Sequence, residues 1–419
     1  MKFAERTQIE VSLERPVSPC AAKAQSTEKK VTEQNQIVQS QNGQSTPNSV
    51  SLAAHHSPFV PLCLVALAGN QVRYRAMGMD TLHVAVIGAG RMGKHHARIY
   101  AGHPQCKLAA VVDKDLDKAK AITTEFGGEA LADSSKLDDT VNAATVAVPT
   151  VYHADVAIPL MERGIAVLVE KPLANDTPTA RRIVEASQKA GVVLQVGHSE
   201  RYNPVVRAML RMEVTPRFIE AHRVSPFTFR SADIGVVFDM MIHDIDIVLH
   251  LVRDKVADVQ AVGVNVLGPH EDVANARIRF ANGTVANLTA SRLALKTDRR
   301  IRVFCPTAYL TMDYQRKSGL ALKLSENLDL IRMARERNFE DLSQMAGLDF
   351  GSMVKIDNLV VDDVEPLKAE IESFVQSVRT GENSGVSAED GLAAVELAER
   401  IAASIREQGW GKQIHGFGG

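Results

Sequence analysis

The chain has 419 residues, of which 45% are hydrophobic and 23% charged, with 48 Lys and Arg set against 50 Asp and Glu. That is the composition of a globular protein long enough for two cores, with no basic excess to hold nucleic acid and no acidic block. Cys20, Cys63, Cys106 and Cys305 stand far apart without metal-ligand or redox spacing. They read as reduced thiols of a cytoplasmic protein with no metal site.

Residues 1–79 differ from the rest. Gln25 to Ser51 is rich in Gln, Ser, Thr and Asn, too polar to offset the entropy of ordering. Phe59 to Ala68 is apolar, but ten residues do not span a bilayer, and the run begins too late for a signal segment. Residues 1–79 are therefore expected to be a disordered leader or a mis-assigned start, with Met77 or Met79 as the true beginning, and no membrane partner.

From residue 80 strand-type and helix-type runs alternate. Val84-Ala85-Val86-Ile87 leads directly into Gly88-Ala89-Gly90-Arg91-Met92-Gly93. In this pattern the first glycine makes the turn off a strand and the second lets a pyrophosphate approach the backbone. The third lets the following helix pack close, with its N-terminus toward the phosphates. Lys107 to Val112 reads as the next strand and ends at Asp113, 25 positions after Gly88. A carboxylate there accepts from the ribose 2′-hydroxyl of NAD and repels a 2′-phosphate. NAD is thus expected over NADP, with Lys114 beside the acid softening the repulsion.

Further strands are expected at 129–131, 144–148, 166–169 and 192–196, with helices at 94–100, 115–126, 152–163 and 178–190. This is an α/β Rossmann domain over residues 80–200, a parallel sheet covered on both faces. Ligands of such sheets bind beyond the carboxyl ends of the strands. Glu170-Lys171-Pro172 lies at one such end and Gly197-His198-Ser199-Glu200-Arg201-Tyr202-Asn203-Pro204 at another. Arg201 suits a carboxylate or phosphate, and Asn203 suits sugar hydroxyls. Taken alone, Lys171 also fits a solvated loop lysine, and the second segment fits a domain junction.

Residues 201–419 read as an α+β substrate and oligomerisation domain with a large, mostly antiparallel sheet. Helices are expected at 205–212, 236–251, 365–379 and 388–406. Strands are expected at 218–224, 259–267, 274–280, 285–291, 300–304 and 309–314, with Asn282-Gly283 as a hairpin turn. Residues 326–351 are hard to assign. Asp239 and His243, four apart on an otherwise apolar helix, share one face. They are either a reactive pair or a satisfied structural one. Arg223 and Arg230 bracket Ser225-Pro226-Phe227 and suit an anionic substrate or a solvated face. A broad sheet with one open face would favour a homodimer or tetramer.

In this order the motifs resemble the glucose–fructose oxidoreductase, inositol dehydrogenase and MocA family over about residues 81–410. The carriers are the glycine fingerprint, Val148-Pro149-Thr150-x-x-His153, Glu170-Lys171-Pro172 and Asp239-x-x-x-His243, with Glu365-Pro366-Leu367 and Ala388-Glu389-Asp390-Gly391 near the end. The resemblance implies a dehydrogenase with Lys171, Asp239 and His243 as its catalytic group. It implies that Pro149, Thr150, His153, Glu170 and Lys171 join the fingerprint residues and Asp113 at the cofactor. Lys171, Arg201, Asn203, Arg230 and His243 would meet the substrate. Met241 stands where the family often has glycine. The segments at 197–204 and 233–246 are similar to the branch that oxidises the 3-hydroxyl of UDP-N-acetylglucosamine or its uronate, for lipid A or surface polysaccharide. Members of that branch carry Arg-Phe-Asn-Pro where this chain has Tyr202. On that reading His243 takes the hydroxyl proton while the hydride passes to the nicotinamide, and Lys171 steadies the alkoxide. A polyol dehydrogenase such as an inositol enzyme and a non-catalytic NAD-binding regulator are the competing readings.

Overall fold

The computed structural model of the protein describes residues 81–228, 234–324 and 354–408. The expectations for residues 1–79, for Arg230 and for the 326–351 segment lie outside these residues.

Six strands form a parallel sheet in the order β3-β2-β1-β4-β5-β6. They are β1 (Leu82–Ile87), β2 (Cys106–Val112), β3 (Glu129–Leu131), β4 (Ala143–Val146), β5 (Ala166–Glu170) and β6 (Leu194–Gly197). β4 and β5 are buried along their whole length, as expected of strands covered on both faces. The covering helices are α1 (Arg91–Ala101), α2 (Leu116–Phe126), α3 (His153–Glu162) and α4 (Thr177–Ala190). Local chemistry sets their ends. Asp176 accepts the Thr179 N–H at 2.7 Å to start α4, and Gly191 closes it in the left-handed conformation.

The second sheet has eight strands in the order β14-β13-β12-β11-β7-β10-β9-β8. They are β7 (Phe218–Val224), β8 (Val256–Val264), β9 (Val273–Phe280), β10 (Val285–Ser291), β11 (Asp298–Phe304), β12 (Ala308–Asp313), β13 (Ser318–Leu324) and β14 (Val354–Asn358). Only β7 and β10 pair in parallel. Asn282-Gly283 turns β9 into β10 with antiparallel register. β13 pairs with β12 and β14 with β13, both antiparallel. One face of this sheet packs on α5 (Pro204–Leu210), α6 (Ile242–Val252) and α8 (Ala388–Glu407). The other carries polar cross-strand pairs such as Asn275 to Thr289 at 2.9 Å.

The last two helices cross the expected boundary at residue 200. Ile371, Phe374, Val375 and Val378 of α7 (Pro366–Thr380) join Leu82, Ala166 and Leu168 in the core on one face of the first sheet. α8 serves both cores, with Val395 against the first sheet and Leu397, Ala398 and Ile401 against the second. Residues 80–200 therefore do not bury their own sheet completely. Phe374 is fully buried in this contact. Phe374→Ala is expected to destabilise the fold by about 3–5 kcal/mol, the usual range for truncating a buried aromatic, read as a fall in denaturant midpoint.

Candidate active site

β1 turns out of the sheet through Gly88, whose φ is +106°. A Cβ there would fall 2.6 Å from the Ala147 oxygen, and one on Gly93 would fall 1.7 Å from the Gly88 oxygen. Neither position admits a side chain. Gly90 is different, since nothing lies within 4 Å of the place its Cβ would take. It caps α1 with no side chain bonded to the exposed N–H groups of the first turn, which makes an anion cradle. Asp113, at the end of β2, receives the Ala89 N–H at 2.7 Å and the Asp115 N–H at 2.9 Å. Its carboxylate is thereby aimed along the rim of the loop, with lone pairs to spare. Gly88, Ala89, Gly90, Arg91, Met92, Asp113 and Pro149 line a cavity of about 1570 Å3. The cradle and the volume fit NAD. Thr150 opens a short 3-10 turn just beyond Pro149.

Lys171, directly after β5, meets Asp239 of the helical segment that leads into α6. The Lys171–Pro172 bond is cis. Lys171 Nζ donates to the Asp239 backbone oxygen at 2.7 Å and lies 3.7 Å from its carboxylate. The helix expected over 236–251 is not uniform. Val237–Met241 is π-helical, with the Ile242 N–H reaching back five residues to the Val237 oxygen, and regular α6 begins at Ile242. A widened turn no longer stacks residues four apart, so Asp239 turns to Lys171 and not to His243. His243 Nδ1 is buried with no hydrogen-bond partner among the described residues. Burial, then the charges of Lys171 and Arg223, hold the His243 imidazole well below its usual titration range. His198, at the end of β6, is buried with both ring nitrogens unpartnered among the described residues, and burial pushes its pKa down too. Sequence reading passed over His198 as a turn residue; its only signal was its place at a strand's carboxyl end.

Comparison with known proteins accords with this geometry. Residues 82–198 match the oxidoreductase family with an NAD-binding Rossmann fold, and residues 207–311 match the GFO/IDH/MocA C-terminal domain. The UDP-N-acetylglucosamine 3-dehydrogenase of Acidithiobacillus ferrooxidans is 37% identical over 237 residues, 56% of this chain and 75% of the relative. The chain belongs to the Gfo/Idh/MocA oxidoreductase family. The solved structure of the Acidithiobacillus enzyme superimposes with a TM-score of 0.69 at 29% identity, over 78% of this chain and 99% of that one. The inositol 2-dehydrogenase of Rhizobium meliloti is 25% identical over 346 residues, 78% of this chain and 98% of the relative. As a member of this family the protein is a dehydrogenase acting on CH–OH groups, built on an NAD-binding fold.

Several expected contacts prove to be supports. His153 is buried with its ring nitrogens 3.2 Å from the Leu173 oxygen and 3.0 Å from the Val148 oxygen. It joins the Pro149 loop to the segment after Pro172 instead of lining the cofactor cavity. Glu170 is buried and accepts from His96 of α1 at 2.9 Å. Although burial raises its pKa, His96 and Lys171 bring it below the usual carboxylate range. Arg201 is committed to Asp246 of α6 and Asp390 of α8, so its charge is not available to a substrate anion. Asn203 caps α5 by accepting the Val205 N–H at 3.1 Å and donates to Glu200 at 2.8 Å. Arg223 is neither solvated nor free. It grips Asp244 through Nε and Nη2 at 2.8 and 2.9 Å and Glu200 through Nη1 at 2.7 Å. The partners of Glu170, Arg201 and Arg223 sit on other elements, where sequence spacing gives no sign of them.

The two glycines should respond differently. Gly93→Ala should lower the melting temperature by several degrees, because the Gly88 backbone must move. Gly90→Ala should fold and melt like the wild type yet lose most of the thermal shift that NAD produces. Equal NAD shifts in Gly90→Ala and wild type would contradict the cradle.

Proposed function

We propose that the protein is an NAD-dependent dehydrogenase that oxidises a sugar secondary hydroxyl, the 3-hydroxyl of UDP-N-acetylglucosamine. The reading rests on the convergence of Lys171, Asp239 and His243 at the carboxyl end of the parallel sheet. The similarity to the Acidithiobacillus enzyme supports the substrate, and the Asp113 carboxylate supports NAD over NADP.

His243 is the proton acceptor. It is neutral at pH 7 because burial and neighbouring cations disfavour the imidazolium, and a neutral imidazole can take a hydroxyl proton. Lys171 stabilises the developing alkoxide. Its ammonium is steered by the Asp239 carbonyl and carboxylate, which fix the direction of its remaining N–H bonds. Asp239 thus acts on Lys171 and not on His243. His153 and Glu170 hold the loops that present these groups. NAD, when bound, supplies the hydride acceptor. A free polyol is the second reading, because Arg201 and Arg223 spend their charge on internal carboxylates.

Absorbance at the NADH band with UDP-N-acetylglucosamine, its uronate, myo-inositol and glucose tests the substrate; turnover confined to myo-inositol would refute the nucleotide-sugar reading. Lys171→Ala and His243→Ala should each lower kcat by about 100-fold or more, the range for losing a general base or an electrostatic stabiliser, with NAD affinity nearly unchanged. The pH profile follows from His243. Protonation removes the base, so kcat/KM falls on the acidic side, and the lowered pKa moves that limb well under 6.5. An acidic limb at or above 6.5 in wild type would remove His243 as the base.

A further inference from the structure

The commitment of Arg201 and Arg223 leaves another cation at the site. Arg299 lies on β11 directly opposite Arg223 of β7. Residues alternate along β11, and Ile301 and Val303 are buried in the core beneath α6 and α8. Arg299 shares their face. Arg300 and Arg302 face the other way, where Arg302 meets Glu220. The Arg299 backbone oxygen accepts the Tyr314 N–H at 2.9 Å, which fixes the strand at this point.

Two like charges directly opposite on neighbouring strands oppose folding unless both are balanced. Arg223 is balanced, since its three nitrogens saturate Asp244 and Glu200. Arg299 makes no ion pair or side-chain hydrogen bond with any described residue. Its charge is nonetheless felt at His243, Glu200 and Asp244, and it stands on the face of the sheet that packs on α6, the helix that carries the proposed base. A guanidinium in this setting, exposed at its tip and set against a second guanidinium, suits a planar two-oxygen anion.

We propose that Arg299 is the substrate-anion residue of the site, receiving a phosphate or carboxylate oxygen of the sugar substrate whose hydroxyl His243 deprotonates. The assignment rests on the nucleotide-sugar reading, and it names the residue that separates a charged sugar from a neutral polyol. Arg299 takes no part in proton or hydride transfer; it contributes binding alone.

The test uses the full-length protein and two probes, UDP and glucuronate, measured by calorimetry and as inhibitors of turnover. Arg299→Gln should weaken the relevant probe and raise KM for the sugar by about 10- to 100-fold, the range for losing a charge-assisted hydrogen bond. The kcat and the KM for NAD should stay within about threefold, and Arg299→Lys should recover part of the loss. A structural role alone would lower the melting temperature and NAD affinity as well. Loss confined to UDP assigns the diphosphate to Arg299, and loss confined to glucuronate assigns a uronate carboxylate. Unchanged affinity for both probes, in a protein whose wild type binds UDP, overturns Arg299 and leaves the nucleotide-sugar reading standing. A wild type that binds neither probe and oxidises a neutral polyol, with the same KM in Arg299→Gln, overturns both.

Discussion

Helix α6 is held against the rest of the molecule by two buried arginines, and the reactive geometry follows from that attachment. Arg201, just after β6, ties Asp246 of α6 to Asp390 of α8. Arg223, on β7, ties Asp244 of α6 to Glu200. Asp244 and Asp246 are each bound by a guanidinium in a dry setting where an unpaired charge would be strongly destabilising. The two clamps leave α6 little freedom to slide or roll. His243, at its start, is therefore presented at a set position relative to Lys171 on β5. Asp390 also closes the capping box of α8 with Ser387, so the same carboxylate begins one helix and anchors another.

The clamps carry an electrostatic consequence. They place positive charge close to a buried imidazole and supply no carboxylate to His243 itself. The usual way to stabilise an imidazolium, an acid on Nδ1, is missing among the described residues. The result is a histidine kept in its neutral, proton-accepting form. Lys171 has the opposite treatment. A carbonyl and a carboxylate from Asp239 lie beside its ammonium. The π-helical turn is what allows this division. By turning Asp239 away from His243, it lets one residue serve the lysine while the histidine stays unpartnered. Such turns are often found at functional sites.

Much of the dinucleotide half was legible in the sequence, because its rules act over short distances. Four apolar residues ending in Gly88 specify a buried strand and a tight turn. Gly93 answers a steric demand at its own backbone, and Asp113 ends the adjacent strand. Asn282-Gly283 specifies a hairpin for the same reason. The elements found at the wrong length, such as the helix over 236–251, differ where tertiary contacts outweigh propensity. Lys171 and its neighbours draw the Asp239 region into a wider turn. Strand β14 depends on pairing with β13, some thirty positions back along the chain.

The sequence by itself determined the alternation of strands and helices in the dinucleotide half and the glycine turn that opens the phosphate cradle, since turn sterics and hydrophobic period are local. Only the tertiary structure decided which charged residues are spent on the scaffold and which remain for chemistry. Arg201, Arg223 and Glu170 look like ligand-binding residues until their partners, 21 to 189 positions away, are seen beside them. Arg299 looks like a surface residue until strand register sets it opposite Arg223. Charge neutralisation is a property of proximity in space, and no spacing along the chain encodes it.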